Sequence, residues 1–317
     1  MDAYREALAG QAAVRVDIGA SRTVPGTVGA LVASYLGSPA FLTLKPATRT
    51  TYRNILERVR TEHGSKRVAR LERGHVIAML AAKVKTPAAA NHWLRLMKIL
   101  MAFAVDIGMR SDDPTRGIKN IAAKSEGFHT WSEEEIAQFE RKHAIGSRAR
   151  LALGLLLFTA QRRGDVVLMG RQHIRAGALN ITQGKTGTVL AIPVHPDLQA
   201  IIEATPATKQ NLTFLTTAGG KPFTAAGFGN WFRDMCNEAG LPKVCSAHGL
   251  RKAACRRLAE AGCSEKQIAA ISGHADLREI ARYTRAADQA RLARKAMETM
   301  RETFPGSGET KTATPSD

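Results

Sequence analysis

Residues 248–283 read HGLRKAACRRLAEAGCSEKQIAAISGHADLREIARY, and the meaning of the remaining sequence turns on this stretch. It holds His248 and Arg251 three residues apart, then Gly273-His274 with His274 23 residues beyond Arg251, then Tyr283 nine residues beyond His274. From Ala225 onward the chain reads as successive helices, so His248 and Arg251 lie one turn apart and face the same way. Tyr283 is the only tyrosine after residue 52, since Tyr4, Tyr35 and Tyr52 all precede it. Taken singly, an H-x-x-R pair or a lone tyrosine is an ordinary packing feature, so its neighbours in the sequence must decide.

Two features lie upstream. Residues 178–183 and 188–194 alternate apolar and polar around Gly184-Lys185-Thr186-Gly187, which predicts a hairpin with Lys185 at its tip. Before it, an apolar helix at 150–159 runs into Thr159-Ala160-Gln161-Arg162-Arg163-Gly164-Asp165. Ser132 and Glu135 match a capping box at the start of this half of the chain, and a further strand is expected at 213–217.

The earlier half carries helical patterns. Thr27 can cap a helix with Val28, Leu31, Val32, Tyr35 and Leu36 on one face. Pro46 opens a second, with Tyr52, Ile55, Leu56 and Val59 inward and arginines outward; a third is expected near 74–82 and a fourth over 87–107. Asp113-Pro114 ends this all-α unit, and residues 115–128 show neither helical nor strand period and read as a linker. The expected organisation is a lead segment at 1–26, a helical domain at 27–114, the linker, a mixed domain at 129–303 and a disordered Gly/Ser/Thr/Pro-rich tail at 304–317.

The 317 residues carry 46 Lys+Arg against 28 Asp+Glu, a formal charge of +18, and both halves are basic on either side of Ser125. Such an excess suits a phosphate-backbone partner. No apolar run approaches the ~20 residues of a membrane span, and no secretory signal is visible, which gives the cytoplasm as the default compartment. Cys236, Cys245, Cys255 and Cys263 show no C-x-x-C spacing, against a zinc knuckle or redox pair, and read as four semi-buried thiols. His129, His173 and His195 have no comparable company and read as ordinary.

The order Arg162, Lys185, His248-x-x-Arg251, His274, Tyr283 resembles the tyrosine recombinase, or phage integrase, family. The box at 159–165 is similar to the family's T-G-L-R-x-x-E, with Ala160 and Gln161 in place of Gly and Leu and Asp165 in place of Glu. Residues 27–300 are covered by the resemblance. It implies an all-α SAM-like core-binding domain, which binds DNA, and a mixed α/β catalytic domain, mainly helical with a small sheet, closing on duplex DNA as a C-shaped clamp.

The chemistry follows from side-chain type. An anionic phosphodiester cleaved without metal needs fixed cations at its nonbridging oxygens, and the guanidinium forks of Arg162 and Arg251 suit that. Asp165 is placed to hold Arg162 through an i,i+3 contact. Tyr283 is the nucleophile, Lys185 the general acid for the leaving 5′ oxygen, and His248 assists proton transfer. The resemblance also gives Lys185 this role, and puts His274 at the phosphate close to Tyr283. There is no carboxylate pair and no His/Cys cluster at ligand spacing, and residues 179–186 lack the first glycine of a P-loop; neither a metal nor a nucleotide cofactor is expected.

The resemblance further implies a 3′-phosphotyrosine intermediate, a Holliday junction and a homotetramer on two DNA sites, with residues 286–300 docking onto a neighbour or packing on their own domain. A host DNA-bending protein or an excisionase would be further partners. The Ala160-Gln161 departure and the polar tail favour integration or excision of a mobile element over an Xer-type dimer resolvase. Residues 1–26 are too few for an arm-binding domain and read as a lead segment or as the remnant of one. A type IB topoisomerase and an inactive recombinase-derived DNA-binding protein are the remaining rivals; the separate helical domain opposes the first and the intact set of six residues the second.

Overall fold

A computed structural model describes residues 23–122, 127–206 and 212–304, so the expected tail and most of the lead segment lie outside the described residues. The chain divides into two units between Ser125 and Glu126. In the first, α1 (Val28–Gly37), α2 (Pro39–Leu42), α3 (Pro46–His63), α4 (Arg73–Ala81) and α5 (Pro87–Asp106) surround one core. Thr27 accepts a hydrogen bond from the Ala30 amide and so caps α1, and prolines open α2, α3 and α5 where their missing N–H costs nothing. Leu31, Val32, Phe41, Leu56, Leu94, Leu100 and Met101 fill the centre.

The segment read as a linker is partly built into this unit. Thr115 and Ile118 are buried. Lys98 donates to the Ile118 carbonyl (2.7 Å), and the Asn91 amide bonds the Ile121 backbone in both directions (2.9 and 2.8 Å). These anchors run from α5 side chains to irregular backbone and leave no periodic trace in the sequence.

The second unit starts with α6 (Glu133–Lys142), whose capping box joins Ser132 and Glu135 as expected. Next comes α7 (Arg148–Thr159), apolar on nearly every side and accordingly buried, with Leu151, Leu153, Leu155, Leu156 and Leu157 inside. After the one-turn α8 (Arg163–Val166), strands β1 (Ile174–Arg175), β2 (Ala178–Thr182) and β3 (Val189–Pro193) form an antiparallel sheet in that order. Leu179 faces Ile192 and Ile181 faces Leu190 across the β2–β3 pair. The helices α9 (Pro196–Ala204), α10 (Ala225–Glu238), α11 (Ala247–Glu260), α12 (Glu265–Ser272) and α13 (Arg278–Thr303) complete it.

The strand expected at 213–217 is absent. Thr216 makes a single bridge to Pro222, because the chain folds back through Gly219-Gly220 and Thr217 pairs with Lys221 instead of with the sheet. Cys236, Cys245 and Cys255 are buried and Cys263 partly so, all as free thiols. Among the described residues no helix is long and apolar enough to cross a membrane.

Removing the Thr27 cap by Thr27→Ala is expected to cost about 1 kcal/mol, with Thr27→Ser near neutral, in urea denaturation followed through the first unit's Trp93.

Candidate functional site

The site begins where α7 ends. Ala160 takes the left-handed conformation (φ 52°), a cap usually given to glycine, and this turns its carbonyl toward α11 to accept from Arg251 Nη1 at 2.6 Å. Arg251 is only 3% exposed. Its Nη1 also donates to the Ser272 carbonyl (2.9 Å), and its Nη2 lies 3.0 Å from His274 Nε2. Burial first, and then the nearby Arg162, bring this guanidinium down to about 10.

Gly273 ends α12 at φ 67°, bending the chain so that Ser272 and His274 both face Arg251. The Ser272 hydroxyl has one proton and donates it to the Ile268 carbonyl (2.7 Å), so His274 Nδ1, 2.7 Å away, is the donor to that hydroxyl. His274 Nε2 is then the acceptor for Arg251. A neutral ring is also what the electrostatics favour: burial first, then Arg251 and Arg162, lower His274 to about 4. His248, one turn before Arg251, has an exposed edge and packs against Phe128 with the rings tilted at 57° and their centroids 4.4 Å apart. Partial burial and then Arg251, Lys252 and Arg162 hold it below the usual histidine range.

Gln183 joins these parts. Wholly buried at the end of β2, its Oε1 accepts from Arg162 Nη1 (3.0 Å) and Thr186 Oγ1 (2.7 Å), while its Nε2 donates to Gln161 Oε1 (2.6 Å) and the Ser272 carbonyl (2.8 Å). A β-carbon on Gly273 would collide with this amide. The root of the hairpin is thereby fastened to both arginines' surroundings, and Lys185 sits two residues farther along, exposed on the turn. Asp165 does not pair with Arg162 as expected; its Oδ1 accepts from the Gly184 amide (2.8 Å), so it supports the hairpin. The reason is the one-turn α8, in which Arg162 is the flanking cap and its side chain turns to Gln183.

Tyr283 lies on α13, half-buried against the core of this unit. Burial, with a smaller contribution from Cys255, pushes its phenol up to about 12, and Arg251 acts in the opposite direction. The fold thus gathers Arg162, Arg251 and His274 around Ser272 and Gln183, with His248 and Tyr283 within the field of Arg251. Gln161, Gln183 and Ser272 escaped the sequence reading. Their signal was present for Gln183: Leu179 and Ile181 point inward, and period two continues to a polar residue at 183. His173 and His195 bond nearby backbone amides, as ordinary residues do.

Residues 131–290 match the phage integrase family. The chain belongs to that family, and it is a tyrosine recombinase by descent. Integrase of Escherichia phage HK022 is 26% identical over 160 residues, covering 50% of this chain and 45% of the relative, so the chain spans about half the length of that curated relative. A lambda integrase dimer bound to a COC′ core site superposes with a TM-score of 0.72 at 20% identity, over 81% of this chain and 95% of the other. A lambda integrase tetramer bound to a Holliday junction gives 0.71 at 21%, over 84% and 79%. At these identities the structural likeness is one of fold.

Two outcomes are expected of this phage integrase family member. Gln183→Leu leaves Arg162, Thr186 and Gln161 with unmet hydrogen bonds and costs ~1–3 kcal/mol in chemical denaturation, whereas Gln161→Leu/Gln183→Leu costs less than the sum of the single changes. Because His274 titrates near 4 when folded and near 6.5 when unfolded, the unfolded chain binds more protons between these values. Stability is therefore full above about pH 6.5 and is lost as pH falls toward 4; His274→Gln should flatten that slope in denaturation midpoints.

Proposed function

We propose that this chain is a site-specific DNA recombinase that cleaves and rejoins strands through a covalent bond between Tyr283 and the 3′ phosphate. The observation that carries the reading is the cluster of Arg162, Arg251 and His274 around one hub, with His248 and a half-buried phenol in the field of Arg251. Two arginines and two histidines, with the Glu279 carboxylate 3.5 Å from His274 as a counter-charge, form a receptor for a phosphodiester.

Arg162 and Arg251 would donate to the nonbridging oxygens, neutralising charge as the pentacoordinate phosphorane forms. The Tyr283 oxygen attacks phosphorus, and its proton passes to His248, whose lowered basicity keeps it neutral and able to accept at neutral pH. The P–O bond to the 5′ oxygen breaks as Lys185 gives that oxygen a proton. His274, as the acceptor for Arg251 Nη2, would orient that guanidinium toward the phosphate, and Asp165 would keep the hairpin root in place. Attack by a 5′-hydroxyl from a second duplex reverses the step and joins new partners without a metal or nucleotide.

Double-stranded DNA is the substrate, and the +18 charge supplies affinity for its backbone. For assembly we propose four protomers on two sites through a Holliday junction. The far half of α13 would dock on a neighbour, since Leu292, Met297, Met300 and Phe304 are 60%, 61%, 54% and 74% exposed. Integration or excision of a mobile element remains the proposed role.

A nicked suicide duplex carrying the attachment site, mapped from the element's junctions in its host genome, tests the mechanism. Tyr283→Phe should retain DNA binding in gel shift and form no covalent adduct; an adduct with this variant would refute the nucleophile. Lys185→Ala should slow cleavage ~10²–10⁴-fold. A bridging 5′-sulfur, which leaves without a proton, should restore the rate, and an unrestored rate would remove the general-acid role.

A further inference from the structure

The fold assembles a second group of donor atoms away from Tyr283. His129 lies just before α6, Glu135 lies in its first turn, and Cys245 sits 110 residues after Glu135, immediately before Ser246, the cap of α11. One imidazole nitrogen, one carboxylate oxygen and the Cys245 sulfur all lie within 4.8 Å of one another. No sequence spacing could have shown this, since the third donor comes from a distant element.

We propose that His129, Glu135 and Cys245 form a zinc-binding site that fastens the segment before α6 to the start of α11. The donor set fits that ion: thiolate and imidazole select borderline-soft metals, a carboxylate makes the third protein ligand, and a solvent water would close the tetrahedron. Donors around a tetrahedral zinc stand roughly 3.3–3.8 Å apart, given bonds of ~2.0–2.3 Å, so the His129–Glu135 pair, 2.8 Å apart, would open slightly while Cys245 closes by at most about an ångström. The fourth position faces solvent, because Cys245 is buried at the base while the His129 side chain, at the rim, is 36% exposed.

The three side chains already contact one another. His129 Nε2 lies 2.9 and 2.8 Å from the two Glu135 oxygens, and the buried Cys245 thiol is hydrogen-bonded to the same carboxylate. Metal binding breaks the S–H bond, forms Zn–S and releases that proton to solvent, together with the imidazole's if it is charged. A supporting shell is in place: the Ser132 amide donates to Glu135 Oε2 (2.8 Å) and fixes the carboxylate's direction.

The two segments are already laid together around the cluster. Trp131 Nε1 donates to the Ser246 carbonyl (3.1 Å), Lys252 Nζ donates to the Phe128 carbonyl (2.6 Å), and Gly249 has no side chain because the His129 carbonyl and the Trp131 ring occupy that space. The ligands therefore come from a preorganised seam. The role is structural: the ion would fix the first turn of the helix that carries His248 and Arg251, and the proposal stands or falls independently of DNA cleavage.

Cobalt titration of the untagged full chain tests it. One Co²⁺ per chain should give a sulfur-to-metal charge-transfer band and intense tetrahedral d–d bands, both erased by zinc. Zinc in about hundredfold excess over its dissociation constant should raise the melting temperature by ~5–10 °C, reversed by chelator. Cys245→Ala and the rim variant His129→Gln should each abolish the thiolate band or the stabilisation, while Cys236→Ala retains both. No thiolate band in folded protein, or a band that survives Cys245→Ala, overturns the site. Stabilisation unchanged in His129→Gln overturns the three-ligand assignment.

Discussion

Arg251 is a cation buried without a carboxylate. Its charge is held by two backbone carbonyls, from Ala160 and Ser272, and by a neutral imidazole, with a second arginine close enough to disfavour it. Partial dipoles offset part of the cost of desolvating a guanidinium and leave the rest as an unsatisfied demand for negative charge. Everything around the site follows from supplying those two carbonyls. The left-handed end of α7 aims one, the glycine end of α12 aims the other, and α11 brings the guanidinium between them.

The same carbonyl of Ser272 serves Gln183, so the hairpin and the arginine share an acceptor. A movement of the β2–β3 turn that carries Lys185 is therefore felt at Arg162 through one amide side chain and at Arg251 through one oxygen. Buried polar networks of this kind fix geometry when fully satisfied and are costly when opened. The hub gives the unit a way to hold its cations in register.

Much of this was legible in the sequence. Helix caps at Thr27 and Ser132, the prolines at 46 and 87, and the Gly-bounded hairpin all act through neighbours within a turn or two, and their side chains state the local structure directly. The set Arg162, Lys185, His248, Arg251, His274 and Tyr283 reads as a pattern in the sequence, and of it Arg162, Arg251 and His274 meet in one hydrogen-bond network. What the sequence hid depends on long-range partners: the docking of residues 115–121 on α5, the choice of Gly184 over Arg162 by Asp165, the meeting of Gln161 with Gln183, and the approach of Cys245 to His129. Each joins positions whose separation carries no period.

Ala160 stiffens the turn that it caps. Its φ of 52° costs an L-residue about 1–2 kcal/mol relative to glycine, while its methyl group, wholly buried, returns about 0.8 kcal/mol. The balance leaves glycine favoured there by roughly 0.2–1.2 kcal/mol. The methyl group narrows the backbone's freedom at this turn, so the carbonyl that meets Arg251 hangs on a stiffer hinge than glycine would give.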